Sequence, residues 1–257
     1  MRDLFSLAGK TALLTGASTG IGRHLAGVLT EAGARVALGA RSVDKLEERV
    51  AELSDTGGQT VALPLDVRDP ASIKHYFDAA EAAFGPADIL VNNAGVEAGV
   101  KTYLTLEDSG WDDVLETNLK GLWLMSREFS RRTAAAGRTA GNIINISSIL
   151  AGRQQKGVFP YAVSKAGVNQ ATKIMALEGA KLGIRVNALA PGYIYTNVSK
   201  ALLDSDQADD VRRSIPQRRF GEFRDLDGPL LLLASDASAH MTGSVVVVDG
   251  GHSVSSL

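Results

Sequence analysis

Two residues that could exchange a proton stand four positions apart, Tyr161 and Lys165 in Tyr-Ala-Val-Ser-Lys, and the serine pair Ser147-Ser148 precedes them. In a helix this spacing places a phenol and an ammonium on one face about a turn apart. A free phenol has a pKa of about 10, and a neighbouring cation lowers that pKa towards the range of general acid-base catalysis. An isolated Tyr-x-x-x-Lys more often lies on a half-exposed helix and has no catalytic role. The remaining motifs decide between that interpretation and a proton-transfer site.

Length and composition favour one soluble domain spanning residues 1–257, because a chain with 45% hydrophobic residues can bury a substantial core. The formal net charge of -2 indicates neither a nucleic-acid-binding face nor a membrane-attracting patch. No metal is predicted, since the chain has no cysteine and its four histidines are scattered without ligand spacing: His24, His75, His240 and His252. Residues Met1–Lys10 are too short and polar for a signal peptide, and no apolar run approaches the ~20 residues of a membrane span, so we expect a cytoplasmic protein.

Short β-rich runs alternate with longer helical patterns, which predicts βαβ units and an α/β fold with a doubly wound parallel sheet of about seven strands flanked by helices on both faces. The predicted strands are Thr11–Thr15, Arg35–Leu38, Thr60–Leu63, Ile89–Val91, Asn142–Ser147, Arg185–Ala188 and Ser244–Val248. The predicted helices are Ile21–Ala32, Asp44–Leu53, Ala71–Phe84, Trp111–Thr133 and Tyr161–Leu182. The continuous apolar run Val245–Val248 predicts burial on both faces. The polar segment 197–222 is predicted to be a substrate lid, with an idle surface insertion as the alternative.

The first predicted strand enters a glycine-rich turn and then a helix, Thr15–Gly22. Glycines there let the backbone approach a pyrophosphate, and the helix N-terminus offers unpaired N–H groups and a positive dipole end. The spacing is not Gly-x-Gly-x-x-Gly, and a tight turn without a ligand is the alternative. Its place after the first strand favours a dinucleotide site, with predicted contacts from Gly16, Ser18, Thr19, Gly20, Ile21 and Gly22.

The second predicted strand ends in Ala40-Arg41-Ser42. An acidic side chain at this point bonds the ribose hydroxyls of NAD, whereas a guanidinium can hold the 2′-phosphate of NADP. Ala40 lacks the carboxylate and Arg41 follows it, so we predict NADP(H) in preference to NAD(H), with Ser42 as a second phosphate contact. The alternative is that Arg41 is a solvated charge capping a helix.

With these pieces in order, the chain resembles the short-chain dehydrogenase/reductase family, in its branch of about 250 residues, over nearly its whole length. The motifs that carry the resemblance are Thr15–Gly22, Asp66-Val67, Asn92–Gly95, Asn118, Ser148, Tyr161 with Lys165, Pro191-Gly192 and Thr196. The resemblance implies a single-domain Rossmann-type fold and reversible hydride transfer between a nicotinamide and a carbonyl carbon.

The resemblance also implies the role of each residue. Ser148, 13 residues before Tyr161 and therefore preferred over Ser147, would donate a hydrogen bond to the substrate oxygen, and Tyr161 would exchange the proton. Lys165 would bond the nicotinamide ribose and favour the phenolate, and Asn118 would hold a water that links Lys165 to solvent. The remaining implied contacts are Asp66 and Val67 at the adenine, Asn93, Ala94 and Gly95 along the cofactor, Asn92 as a brace between strands, and Pro191, Gly192, Ile194 and Thr196 near the nicotinamide.

We therefore predict an NADP(H)-dependent oxidoreductase acting on a ketone or secondary alcohol. Substrate contacts are expected from segments 96–100 and 149–158 and from Tyr193, in particular from Ser148, Gln155, Val158 and Tyr193. A 3-oxoacyl-thioester reductase of the same family is the alternative, although acyl-carrier-protein reductases often carry glutamine where Val158 stands. A catalytically silent nucleotide sensor is disfavoured because the Asn118, Ser148, Tyr161 and Lys165 set is complete, and an extended sugar-nucleotide epimerase is disfavoured by the glycine spacing.

The resemblance further implies a homotetramer, built partly from helices Trp111–Thr133 and Tyr161–Leu182 meeting their copies. The apolar residues of these helices could equally pack against their own sheet: Leu122, Leu124, Ile174 and Leu177.

Overall fold

Seven parallel strands form one sheet in the order β3-β2-β1-β4-β5-β6-β7, in a computed structural model that describes residues 4–195 and 208–255. The strands are β1 (Thr11–Thr15), β2 (Arg35–Ala40), β3 (Thr60–Pro64), β4 (Ile89–Asn92), β5 (Gly141–Ile146), β6 (Ile184–Pro191) and β7 (Val245–Val248). The helices are α1 (Gly20–Glu31), α2 (Val43–Ser54), α3 (Pro70–Phe84), α4 (Asp108–Leu115), α5 (Leu122–Ala135), α6 (Phe159–Gly179), α7 (Ala208–Ser214) and α8 (Asp227–Ala234). The predicted α/β fold is confirmed, and each predicted strand is present.

The sheet is covered on both faces because successive residues of a strand point to opposite sides. In β1, Leu14 belongs to a buried cluster with Leu29 of α1 and Leu230 of α8, whereas Leu13 belongs to a second cluster with Phe129 of α5. Neither side of a central strand faces water, which explains the continuous apolar runs in the sequence.

The strand order reverses between β1 and β4. β1 pairs with β2 on one side, Leu13 opposite Ala37, and with β4 on the other, Leu13 opposite Leu90. The loops that leave the carboxyl ends of β1 and β4 therefore diverge and open a crevice at this point.

The prediction of one continuous α-helix over Trp111–Thr133 is wrong in its middle. Between α4 and α5 the chain forms a π-helical turn, Glu116–Gly121. Two tertiary contacts accompany this turn: the buried Asn118 amide bonds the backbone of Val96, and a side chain at Gly121 would collide with Val67. π-turns inside α-helices are frequent at functional sites.

The prediction that Val245–Val248 is buried on both faces is also wrong. β7 is the last strand of the sheet and pairs on one side only, with β6, and Val247 is 48% exposed. An apolar run at the edge of a sheet has the same sequence pattern as a central strand, so sequence alone does not distinguish them.

Of the predicted lid, residues 197–207 lie outside the described residues. The remainder contains α7 and Pro216, and Gly221 forms an isolated parallel bridge with Ile194. Among the described residues, no helix has the length and apolar character needed to cross a membrane.

Candidate active site

A cleft of about 530 Å³ runs along the carboxyl ends of the strands. Nearly every site residue predicted from the sequence lines it: Gly16, Ser18, Thr19, Gly20, Ile21, Gly22, Arg41, Ser42, Asp66, Val67, Asn93, Ala94, Gly95, Ser148, Gln155, Val158, Tyr161, Lys165, Pro191, Gly192, Tyr193 and Ile194. Asn118 is buried behind the wall, and Thr196 lies outside the described residues. Residues from six strand ends thus meet in one cavity, as expected for a parallel sheet.

The glycine-rich turn is held in place by hydrogen bonds from the neighbouring strand end. The Asn93 side-chain amide donates to the carbonyls of Thr15 and Gly16 at 3.0 Å each, and the Thr15 hydroxyl accepts from the N–H groups of Asn93 and Ala94. A side chain at Gly22 would collide with the Gly16 carbonyl and the Asn93 amide, so only glycine fits. The turn adopts φ +67° at Gly16, a conformation that glycine accepts without strain.

Helix α1 begins at this turn with its N-terminus free of a side-chain cap. Thr19 is extended at the N-cap position, its side chain makes no cap hydrogen bond, and the first turn carries no acidic residue. The first N–H groups of α1 therefore lack an internal acceptor and can bind an anion.

At the far end of the cleft, two arginines stand near one carboxylate. Arg68 donates to Asp66 from Nε (3.0 Å to Oδ1) and from Nη2 (2.8 Å to Oδ2), and this hydrogen bonding lowers the pKa of Asp66. The charge of Arg41 also lowers the pKa of Asp66, although more weakly. Arg41 is exposed and makes no ion pair with the described residues, so its guanidinium is available to a ligand.

The sequence motifs do not single out Arg68, although it lines this part of the cleft. Its position two residues after Asp66 is the only local signal in the sequence that could have identified Arg68 as a cleft residue.

The side chain of Asn92, the neighbour of Asn93, bonds residues of β5 and α5 rather than the glycine-rich turn. Asn92 is 4% exposed, and its amide donates to Ser126 and Asn145, 2.9 Å each. It links β4 to β5 and α5, which confirms the predicted brace between strands.

The two serines after β5 also differ. Ser147 is 2% exposed, and its hydroxyl is committed to the Asn169 side chain, to which it donates at 2.6 Å. Ser148 lines the cleft, where its hydroxyl accepts from the Leu150 N–H at 3.2 Å and contacts the Tyr161 hydroxyl. Ser148 is thus the serine that can reach a reacting oxygen.

Tyr161 lies in the first turn of α6, which begins at Phe159 and not at the tyrosine. Tyr161 is half-buried and lines the cleft. This burial, with the negative charge of Glu97, raises the pKa of Tyr161 to about 12, and the Ser148 hydrogen bond opposes the rise. The direction is opposite to the one expected from the Tyr-x-x-x-Lys spacing, because desolvation disfavours the phenolate more than nearby groups stabilise it.

Lys165 is 4% exposed, and its Nζ donates to the Ile146 carbonyl at 2.8 Å. The ammonium stands 5.5 Å from the centre of the Tyr161 ring, so the predicted neighbourhood of phenol and cation is present. Burial lowers the pKa of Lys165 to about 8, against the opposing charge of Glu97.

Asn118 lies in the π-turn, with its side chain committed to protein groups. Its Oδ1 accepts from the Val96 N–H at 2.8 Å, and its Nδ2 donates to the Val96 carbonyl at 3.0 Å and to Ser164 at 3.2 Å. The side-chain amide therefore fixes the segment that leaves β4, one residue before Glu97.

The end of the cleft from which substrate contacts are predicted combines polar and apolar walls. Tyr193 donates to Gln155 at 2.7 Å, which joins the loops after β5 and β6, and burial raises the pKa of Tyr193. Val158 lines the same region. Glu97 also lies here, within the segment 96–100 from which substrate contacts are predicted, although no motif identifies this residue by itself.

Comparison with known proteins gives consistent matches over almost the whole chain. The family model described as "Enoyl-(Acyl carrier protein) reductase" matches residues 16–253. The 2-dehydro-3-deoxy-D-gluconate 5-dehydrogenase of Dickeya dadantii is 38% identical over 250 residues, covering 97% of each chain. A 3-oxoacyl-[acyl-carrier-protein] reductase of Staphylococcus epidermidis is 38% identical over 243 residues, covering 94% of this chain and 98% of the relative.

Among solved structures, a gluconate 5-dehydrogenase from Burkholderia cenocepacia in complex with NADP and tartrate superposes with a TM-score of 0.94. It is 34% identical, and the match covers 99% of both chains.

Proposed function

The protein belongs to the short-chain dehydrogenase/reductase family and is an oxidoreductase acting on CH–OH and C=O groups, and from this premise we propose that it reduces a ketone with NADPH through Tyr161. One observation carries the proposal: Ser148, Tyr161 and Lys165 meet at one end of a cleft whose other end offers an uncapped helix N-terminus and a free guanidinium. The first set suits proton transfer to a carbonyl oxygen, and the second suits a phosphorylated dinucleotide.

The chain's own donors fit NADP(H). The free N–H groups of α1 would hold the pyrophosphate, and the absence of a side chain at Gly22 lets α1 begin directly against the Gly16 carbonyl and the Asn93 amide. Arg41 and Ser42 would hold the 2′-phosphate, where Ala40 provides no carboxylate to repel it. Asp66 would bond the adenine amino group with the acceptor capacity that Arg68 leaves free. The NADP bound by the Burkholderia relative supports this cofactor.

When bound, the cofactor supplies the hydride that reaches the carbonyl carbon. Ser148 orients the carbonyl oxygen by donating a hydrogen bond, and Tyr161 gives its phenolic proton to the oxygen as negative charge develops there. Lys165 holds the nicotinamide ribose and stabilises the phenolate that remains. Asn118 acts by fixing Val96, with which its side chain makes hydrogen bonds of 2.8 and 3.0 Å, and a proton from solvent would return through Lys165.

The proton affinity of Tyr161 supports its role as the general acid of carbonyl reduction near neutral pH. Burial raises the pKa of Tyr161 to about 12, so the phenol carries its proton at pH 7 and is ready to act as an acid. Oxidation of an alcohol needs the phenolate, which is scarce at that pH.

The substrate end suits a modest ketone with polar substituents. Gln155, Val158 and Tyr193 would contact it opposite Ser148, and Pro191, Gly192, Ile194 and Thr196 would complete the nicotinamide wall. We propose that the segment 197–222 closes over this end as a lid, with the domain as a whole spanning 1–257.

A 3-oxoacyl-thioester reductase is the second candidate. The Staphylococcus epidermidis relative supports it, as does an exposed apolar side chain in the cleft lining, Val100, which is 87% exposed. Val158 stands where acyl-carrier-protein reductases often have glutamine, which favours the simple ketone. Acetoacetyl coenzyme A in the same assay separates the two candidates.

The decisive variant is Tyr161→Phe, assayed by NADPH oxidation across ketones, diketones and acetoacetyl coenzyme A. Because Phe keeps the ring but removes the proton, we expect kcat to fall by on the order of 10² or more. NADPH affinity, measured by fluorescence titration, should change little. Tyr103→Phe is the matched control, since Tyr103 is 71% exposed and lies outside the cleft lining. Full activity of Tyr161→Phe would exclude the mechanism, and a wild-type protein that binds NADPH without turnover would support the nucleotide sensor.

We also propose a homotetramer in the cytoplasm. Leu122 and Leu124 pack within their own subunit, but Ile174 is 45% exposed and Leu177 is 80% exposed on α6. Such exposed aliphatic side chains on one long helix favour contact with a second copy. Light scattering should give about four times the chain mass of 27.0 kDa, and a monomeric mass would contradict the assembly.

A further inference from the structure

Glu97 is placed on the cleft wall by a rigid attachment. The preceding residue, Val96, exchanges two backbone hydrogen bonds with the buried Asn118 side chain, at 2.8 and 3.0 Å. Glu97 itself lines the cleft with Ser148 and Tyr161. Its backbone position is therefore fixed, while its carboxylate reaches the space beside the reacting groups.

The carboxylate of Glu97 makes no hydrogen bond or ion pair with any residue in the described ranges 4–195 and 208–255. Lys165, the cation whose charge acts on Glu97, has another partner, because its Nζ donates to the Ile146 carbonyl at 2.8 Å. Burial raises the pKa of Glu97, and the charge of Lys165 opposes that rise.

We propose that Glu97 is a specificity-determining residue that accepts a hydrogen bond from a hydroxyl group of an uncharged hydroxylated carbonyl substrate and disfavours substrates that carry a carboxylate in its place. This inference rests on the proposed oxidoreductase function and names the substrate class of the same site. An ionised carboxylate is an acceptor only, so a hydroxyl satisfies it, whereas a second carboxylate repels it.

The proposal separates this protein from the relatives named for gluconate, which is a carboxylate anion. Two like charges held a few ångströms apart in a partly desolvated cleft repel strongly enough to change specificity by about tenfold or more. A hydroxymethyl group at the same position meets no such repulsion.

The experiment compares substrates that differ only in CH₂OH or COO⁻. For reduction with NADPH the pair is 4-hydroxy-2-butanone and acetoacetate, and for oxidation with NADP it is D-glucitol and D-gluconate, all at pH 8. We expect the wild type to favour the neutral member, and Glu97→Gln to reduce the ratio of kcat/KM values by about tenfold. Glu31→Gln is the matched control, because it removes the same charge from an exposed site at the end of α1, outside the cleft.

A pH profile distinguishes a charge effect from a merely structural one. The groups that face Tyr161 are Ser148, Glu97, Lys165 and Tyr193. Since the charge of Glu97 raises the pKa of Tyr161, Glu97→Gln should move the rise of the oxidation rate to lower pH. A residue that only held the loop would not produce that shift.

The wild type alone provides a second measurement if Glu97→Gln does not fold. Added NaCl screens the carboxylate, so kcat/KM for acetoacetate should rise relative to that for 4-hydroxy-2-butanone. The role of Glu97 would be overturned if Glu97→Gln turned over both substrates with an unchanged ratio of kcat/KM values, neutral to anionic. It would also be overturned if the wild type favoured the anions. Either result would leave the reductase proposal intact. No turnover of any ketone, alcohol or thioester by the wild type would overturn the reductase proposal itself.

Discussion

The two ends of the cleft are formed by different kinds of groups, backbone at one end and titratable side chains at the other. The part of the dinucleotide end proposed to hold the pyrophosphate is made of backbone, a glycine-rich turn and a helix N-terminus, fixed by hydrogen bonds that involve the Thr15 and Asn93 side chains. The reacting end is made of side chains whose pKa values depend on burial. Burial raises the pKa of Tyr161 and lowers the pKa of Lys165. Backbone geometry is insensitive to pH, whereas buried side chains carry charges that pH can change. We therefore expect pH to change the reaction rate through the reacting end, and substitutions at the dinucleotide end to change cofactor binding.

The largest expected effect is on the pH dependence of the two directions of reaction. Oxidation needs the Tyr161 phenolate, and burial raises the pKa of Tyr161 to about 12, so the competent fraction grows as pH increases from 7. The kcat/KM for the alcohol should rise about tenfold per pH unit on the low-pH side. Reduction uses the protonated phenol and should be near its maximum at neutral pH. It should decline above pH 8, because burial lowers the pKa of Lys165 to about 8 and the ammonium is lost.

Initial rates in both directions from pH 6 to 10 measure this. An oxidation rate that is flat between pH 6 and 8, below the range in which Lys165 loses its proton, would contradict the assignment of Tyr161 as the base. Parallel rates for Tyr161→Phe provide the control, since its residual activity should lack the slope.

The second effect concerns cofactor choice at the binding end. Arg41→Ala removes a guanidinium that is proposed to bind the 2′-phosphate, and hydrogen bonds to charged groups contribute about 1.5–3 kcal/mol. We expect kcat/KM for NADPH to fall about ten- to hundredfold, with NADH nearly unaffected. Arg131→Ala, on the exposed surface of α5, is the control for loss of one positive charge. Equal losses with both cofactors would refute the assignment of Arg41 to the phosphate.

The smallest effect tests whether hydrogen bonds to the turn support the binding end. Thr15→Val keeps the shape of the side chain but removes the acceptor for the N–H groups of Asn93 and Ala94. An unsatisfied buried donor costs about 1–3 kcal/mol, so urea unfolding should show a loss of that size. NADPH affinity should weaken by about tenfold, a change equivalent to about 1.4 kcal/mol.

Thr15→Ser retains the hydroxyl and should restore most of both properties. If Thr15→Val binds NADPH as the wild type does, the turn does not depend on this bond, and the contrast between the two ends of the cleft is smaller than proposed.

Local patterns in the sequence were sufficient for the fold and for most of the cleft. The alternation of apolar runs with helical periods determines a parallel sheet, because each pattern fixes which face of an element is buried. Residues at the carboxyl ends of the strands then converge wherever such a sheet forms, which is why Gly16, Arg41, Asp66, Ser148 and Tyr161 all line one cavity.

Other features depended on atoms distant in the chain. Val247 is exposed because β7 is an edge strand. The π-turn accompanies hydrogen bonds between the Asn118 side chain and the backbone of Val96. The raised pKa of Tyr161 and the place of Glu97 beside it arise from burial and charge summed over several loops. Spacing along a chain determines which residues share a face, but desolvation and electrostatic interactions depend on distances in space, and only the tertiary structure decides those.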